Sequence, residues 1–418
     1  MPANSKDRDL RERASRVIPG GMWGHMNAAR MPPAFPQYFS HGRGSRLWDA
    51  DGTEYLDFMC AYGPMILGYS DPDVAAAVEA VGGDGAILNG PTGVAVELAE
   101  LLVDTIPHAD WAMFQKNGTD ATTTCVTLAR AGTGRRKILV AEGAYHGAVP
   151  WCSPSVAGVT EEDRAHLIPY IYNDTDSLDR ALDIAGGDLA GILVSAFRHD
   201  ARKDQEMPTL AFAQAIRTAC DGADAALILD DVRAGFRLNL GGSWEPLGIR
   251  PDLSAWSKAI ANGHPLGAVT GNDRFREAAQ QIFVTGSFWC APGPMAAAMA
   301  TLTKLHVGDP VGHMERLGQR LRDGLAEQAK HHGVGIRQTG PVQMPMVLFD
   351  DDPDLAKGNR FTSEALRRGV YLHPWHNMFL SAAHTQDDID RALEATDAAF
   401  AVLVNGLTET DPDDRFLC

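Results

Sequence analysis

Short apolar runs of one kind punctuate the middle of the chain, and they constrain its architecture more than any other feature. Trp111–Phe114, Lys137–Val140, Gly191–Val194, Ala226–Leu229, Leu253–Trp256 and Gly267–Thr270 are each four residues long. Each is too short for a helix and too largely apolar for a strand with one wet face. Strands of that kind belong to a mostly parallel sheet covered on both faces, with helices in the connections. One such helix is predicted over Thr119–Ala131, ended by Gly132. The fold class is therefore α/β, and ligands of such sheets gather beyond the carboxyl ends of the strands.

Both ends of the chain change character. Val311, Met314, Leu317, Leu321, Leu325 and Gln328 mark the core-facing stripe of an amphipathic helix. Ile389, Leu393, Phe400, Leu403 and Val404 mark another, opened by Thr385 with Asp387 and Asp388 in its first turn. The N-terminal segment alternates Gly and Pro with short strands at Ser45–Trp48 and Tyr55–Phe58. The expected division is a segment 1–58 that packs with a small α+β domain, a large domain 59–305, and the small domain 306–418, entered around 301–307.

Composition narrows the function class. The 418 residues carry 45% apolar and 22% charged side chains, as an ordinary soluble protein does. A formal charge of −17 argues against nucleic acid or an anionic membrane as partner. The charged start, Met1–Arg13, has no secretory h-region, and no window approaches the roughly 18 apolar residues of a membrane span. Cys60, Cys125, Cys152, Cys220, Cys290 and Cys418 are scattered without a Cys-x-x-Cys pair, which suggests reduced thiols and a cytoplasmic protein. The histidines suggest no metal site.

Two residues carry the chemistry. Asp230 ends the run Ala225–Asp230, and Lys258 follows the run Leu253–Trp256. A carboxylate at the end of a buried strand needs a cationic or hydrogen-bonding partner. An ion pair with Arg233 or Arg237 is one such partner; a protonated pyridine ring is another. A lysine partly withdrawn from water loses basicity and becomes a better amine nucleophile. An aspartate that holds a pyridinium, followed by a lysine that forms a Schiff base, is what pyridoxal phosphate (PLP) chemistry requires. Upstream, Asn117-Gly118-Thr119 lies between a strand and a helix, where backbone N–H groups and a hydroxyl form either an anion site or an ordinary helix cap. Tyr145-His146 follows another strand end and can present an aromatic face to a ring.

Together these residues resemble the class III PLP-dependent aminotransferases of fold type I, in the glutamate-1-semialdehyde aminomutase branch. The resemblance runs from about Arg11 to Phe400. It includes Val17-Ile-Pro-Gly-Gly21, Leu47-Trp-Asp-Ala-Asp-Gly52, Tyr62-Gly-Pro64, Tyr145-His-Gly147, Asp230-Asp-Val-Arg-Ala-Gly-Phe-Arg237 and Phe379-Leu-Ser-Ala-Ala-His-Thr385. It implies that Lys258 forms the internal aldimine and that Asp230 binds the pyridine nitrogen. Val232 and Tyr145 would flank the ring, and Gly118 and Thr119 would hold the phosphate. Ser287 would reach the phosphate of a neighbouring subunit, which implies a homodimer.

Departures from that branch bear on substrate. Its carboxylate-binding arginine stands seven residues after the first glycine of Ile-Pro-Gly-Gly, and counted from Gly20 that position is Asn27. His376 replaces an acidic residue, and Ser195-Ala196 replaces a Glu-Pro pair. Losing an arginine fork removes a strong carboxylate contact, unless Arg30 bends into its place. Arg198-His199, Thr285-Gly-Ser-Phe-Trp289 and His373-Pro374 are similar to bacterial aminotransferases that act on hydrolysed fumonisin, a long-chain aminopolyol. The expected activity is transfer from a primary amine of that kind to a 2-oxo acid such as pyruvate. Trp23, Tyr62, Phe288 and Trp289 would line an apolar donor pocket, and Arg233, Arg198 or Arg30 would bind the acceptor carboxylate. The rivals are an aminomutase, a β-amino acid aminotransferase, and a PLP-binding scaffold without catalysis. No Gly-x-Gly-x-x-Gly follows the first strand, which weighs against a nucleotide-binding module.

Overall fold

The structure, a computed structural model, describes residues 5–405. Seven strands form its main sheet: β1 Trp111–Gln115, β2 Lys137–Ala141, β3 Leu167–Tyr170, β4 Leu189–Ser195, β5 Ala226–Asp230, β6 Leu253–Trp256 and β7 Gly267–Gly271. Their spatial order is β1-β7-β6-β5-β4-β2-β3. β7 runs antiparallel to both neighbours, and every other pairing is parallel. The carboxyl ends of β1, β6, β5, β4 and β2 therefore share one edge. β3, which the sequence reading missed, carries Pro169 in its middle and lies at the border of the sheet, where a strand tolerates a residue without an N–H.

Alternate residues of each strand enter different cores. Leu227 and Leu229 of β5 pack with Leu178, Phe212 and Ile216 on one face. Ala226 and Ile228 pack with Ala121, Cys125 and Leu128 on the other. The second group belongs to the helix Gly118–Thr133, which runs past the expected stop at Gly132 and ends at Gly134, in a left-handed conformation. Gly132 is there for space: a Cβ on it would stand 2.6 Å from Phe275.

The chain packs as two compact units. One holds Pro72–Asp200 and Gln205–Val311, with the seven-stranded sheet. The other holds the described residues of Met1–Asp71, Ala201–Asp204 and Gly312–Cys418. Its four-stranded sheet runs Phe39–Arg43, Arg46–Asp49, Glu54–Asp57, Val370–Tyr371 in spatial order. The helices Pro310–His332, Ala356–Arg367 and Gln386–Asn405 accompany it. The first boundary falls after Asp71 rather than 58 because backbone hydrogen bonds of Phe58 to Phe379, Ile66 to Ala382 and Gly44 to Tyr69 tie that stretch to the smaller unit. The second falls after Val311 rather than 305. Thr301 lies inside the helix Pro292–Leu305, which packs on the helix Pro72–Gly82 of the larger unit. Thr385 opens the last helix as expected: its hydroxyl accepts from the Asp388 N–H at 3.2 Å, and its own N–H reaches the Asp388 carboxylate at 3.0 Å.

Candidate active site

The shared strand edge carries a cavity of about 240 Å³, lined by residues that follow five of the strands. Asn117, Gly118, Thr119 and Thr122 come after β1; Tyr145, His146 and Gly147 after β2; His199 after β4; Asp230, Val232 and Arg233 from the end of β5; Ser257 and Lys258 after β6. Residues up to 141 positions apart in the chain, Asn117 and Lys258, thus face one space. Parallel strands make this possible by bringing their carboxyl ends to the same side.

Asp230 is 7% exposed and holds two hydrogen bonds. His146 Nδ1 stands 2.7 Å from Oδ2, and the Val232 N–H donates to Oδ1 at 3.1 Å. The sequence reading offered His146 as an aromatic face; in the structure it is also the partner of this carboxylate. The His146 ring is buried, its Nε2 has no partner among the described residues, and its carbonyl accepts the Thr122 hydroxyl at 2.6 Å. The neighbouring Asp231 accepts from the Ser243 N–H at 3.0 Å, and burial pushes its carboxyl up to about 7.

Lys258 opens a short turn, Lys258–Ala261, with φ of +49°, a left-handed conformation that non-glycine residues seldom adopt. Ser257 anchors the turn by donating to the Leu266 carbonyl at 2.8 Å. Burial, with Arg233 and Arg237 nearby, lowers the Lys258 amine to about 7, against the opposing pull of Asp230. Arg233 is lowered to about 10 by burial, offset by Asp230, Tyr145 and Asp200. His199 is held well below its ordinary range by burial, and Arg233, Lys258 and His146 push the same way. It is a neutral imidazole in the wall.

The Asn117 side chain caps the helix by accepting the Asp120 N–H at 2.9 Å, so in that residue the ordinary cap is what the structure displays. The first-turn N–H groups of Gly118 and Thr119 find no partner within a helix and remain suited to an anion. Two glycines shape the cradle. A Cβ on Gly118 would stand 2.6 Å from Val232, and one on Gly147, with φ of +138°, 2.7 Å from the Thr119 hydroxyl. Tyr145 lines the cavity with 42% of its surface exposed.

These residues fit PLP. A buried, hydrogen-bonded carboxylate suits the ring nitrogen, an amine of lowered basicity suits the aldehyde, and a helix N-terminus suits the phosphate. Sequence reasoning had not assigned Thr122, Gly147, His199 or Ser257 to the site. The Tyr-His-Gly motif pointed to Gly147, and the position of His199 just beyond a strand end pointed to that residue.

The other candidates are not among the residues that line this cavity. Ser287 and Phe288 are exposed and, like Trp289, do not line the cavity; the Trp289 ring folds back over Gly286. Arg198 is held by Asp200 at 3.1 Å and Glu206 at 2.7 Å and does not line the cavity. Trp23, Asn27, Arg30, Tyr62 and His376 belong to the other unit. There the Tyr62 ring packs edge-on against His25 at 4.6 Å and His376 at 5.4 Å, at the end of a left-handed run, Cys60 to Tyr62. Trp23 is 68% exposed, and Arg30 lies exposed in the turn Ala28–Arg30. Asn27 caps that turn, accepting the Ala29 N–H at 2.9 Å and donating to the Met22 carbonyl at 2.8 Å.

The parallel sheet, with an acid and an amine at its carboxyl edge, defines a PLP-dependent enzyme of fold type I. The chain belongs to the class III aminotransferases, whose family model, "Aminotransferase class-III", matches residues 28–400. It is a PLP-dependent transaminase. It is 49% identical to an aminopentol aminotransferase of Sphingopyxis macrogoltabida over 412 residues, covering 99% of this chain and 98% of that protein. The solved PLP internal aldimine form of the FumI protein of Sphingopyxis sp. MTA144 superposes with a TM-score of 0.95 at 50% identity, covering 96% of this chain and 97% of that one. A glutamate-1-semialdehyde 2,1-aminomutase of Desulforamulus reducens is 32% identical over 429 residues, covering 96% of this chain and 98% of that protein.

Proposed function

We propose that the protein transfers an amino group from a primary amine on a secondary carbon, of the long-chain aminopolyol kind, to a 2-oxo acid such as pyruvate. Asn27 carries the donor half of this reading. Where the aminomutase branch keeps an arginine for the substrate carboxylate, this chain has an amide committed to a turn. The 49% identical aminopentol aminotransferase supports the same donor class.

Lys258 would bond the cofactor, and Asp230, kept in place by His146 and the Val232 N–H, would hold the ring nitrogen protonated. Gly118 and Thr119 would hold the phosphate, while Val232 and Tyr145 would flank the ring. When bound, PLP supplies the electron sink that makes the proton on the amine-bearing carbon acidic. Lys258 Nζ would remove that proton: its basicity, lowered to about 7, leaves a large share of the amine unprotonated near neutral pH. A homodimer in the cytoplasm completes the proposal. Supporting the dimer, Phe283 is 92% and Phe288 64% exposed on either side of Ser287.

The test is holoenzyme with saturating pyruvate, read as alanine release. A 2-aminoalkane or an aminopolyol is expected to exceed β-phenylalanine and glutamate in kcat/KM, with each added methylene contributing at most about 0.8 kcal/mol. Amino acids winning by tenfold would refute the donor reading. Turnover without any added keto acid would point to an aminomutase instead.

A further inference from the structure

We infer that Arg233 is the group that receives the carboxylate of the 2-oxo acid acceptor. This rests on the acceptor proposed above and adds the residue that selects for an acid. In a 2-oxo acid the carboxylate carbon is bonded directly to the carbonyl carbon that takes up the amino group, about 1.5 Å away. Whatever binds the carboxylate must therefore share a cavity with Lys258.

Three arginines were candidates by sequence, and their surroundings separate them. Arg30 is exposed on a three-residue turn and is not among the residues that line the cavity. Arg198 divides its guanidinium between Asp200 and Glu206 and does not line the cavity. Arg233 lines it together with Lys258, three residues beyond Asp230. It is close enough to Lys258 to depress that amine, so its charge is felt where the transfer occurs.

The chemistry of the side chain suits the task. Lys258 gains and loses a proton during turnover, whereas a guanidinium stays charged. Its planar fork can donate two parallel N–H···O bonds to one carboxylate. His199, which also lines the cavity, is held well below its ordinary range by burial and so is not a source of fixed charge. A donor without a carboxylate asks nothing of the guanidinium, so one cavity can serve an amine and an acid in turn.

The test compares pyruvate with acetaldehyde, which is pyruvate without its carboxylate, using holoenzyme and 2-aminoheptane as donor. Arg233→Gln is expected to lower the ratio of kcat/KM for pyruvate over acetaldehyde at least tenfold, and Arg233→Lys by less. Calorimetric titration with propionate, which has the carboxylate and no carbonyl, should show a matching rise in Kd. A ratio that falls less than tenfold overturns the inference. So does a parallel loss with both acceptors accompanied by weaker cofactor binding, which would assign Arg233 to the cofactor. Wild-type enzyme that aminates no 2-oxo acid overturns the acceptor reading itself, and the inference with it.

Discussion

Gly118→Ala sets two effects of opposite sign against each other. Alanine is a better helix former than glycine by at most about 1 kcal/mol, and Gly118 is the first residue of its helix. On helix propensity alone the variant would be more stable. The new Cβ, however, would stand 2.6 Å from Val232 Cγ1 and 3.0 Å from Cγ2, where ordinary contact begins at 3.4 Å. Val232 cannot easily turn aside, because it is β-branched and its N–H is bonded to Asp230 at 3.1 Å. Overpacking of this kind costs about 1–3 kcal/mol, so the clash outweighs the propensity. The displacement falls on a cavity-lining side chain that would touch the cofactor ring and on the turn that would hold its phosphate. We expect the apoprotein to melt at a lower temperature and to bind PLP at least tenfold more weakly, a loss of about 1.4 kcal/mol. Melting curves without cofactor and an absorbance titration with PLP measure the two parts. A variant that melts higher and binds PLP as tightly as wild type would refute the packing argument.

Three further outcomes can be measured. Lys258 must be unprotonated to attack the aldehyde, and its amine is lowered to about 7 rather than left near 10.5. The rate at which apoprotein captures PLP should therefore rise about tenfold per pH unit below 7 and level off above it; a rate still climbing at pH 9 would contradict the lowered basicity, and Lys258→Ala should capture no PLP covalently. Sedimentation of holoenzyme at low concentration should show a dimer that PLP stabilises, since a ligand of the assembled state adds to its stability. A monomer that binds PLP as tightly would dispose of the role given to Ser287.

Much of this protein is written in local pattern. Four-residue apolar runs are legible as buried strands because burial on both faces leaves no room for polar alternation. Lys258, Asp230 and the Asn117-Gly118-Thr119 turn are legible because each stands just beyond such a run, where a parallel sheet presents its ligands. The sequence by itself thus determined the architecture and which strand ends carry chemistry. Long-range proximity decided the rest. Pro169 looks like a strand breaker until its place at the sheet border is known, and Gly132 looks like a helix stop until Phe275 is seen against it. His146 becomes the partner of Asp230 only when β2 and β5 are brought to one edge, 84 residues apart in the chain. The proposal of Arg233 over Arg198 has the same origin. Both are arginines that follow a strand end, and only folding sets Arg198 against Asp200 and Glu206 and Arg233 on the wall of the cavity with Lys258. Spacing along a chain encodes local conformation, whereas electrostatic and packing partners are set by where distant segments meet.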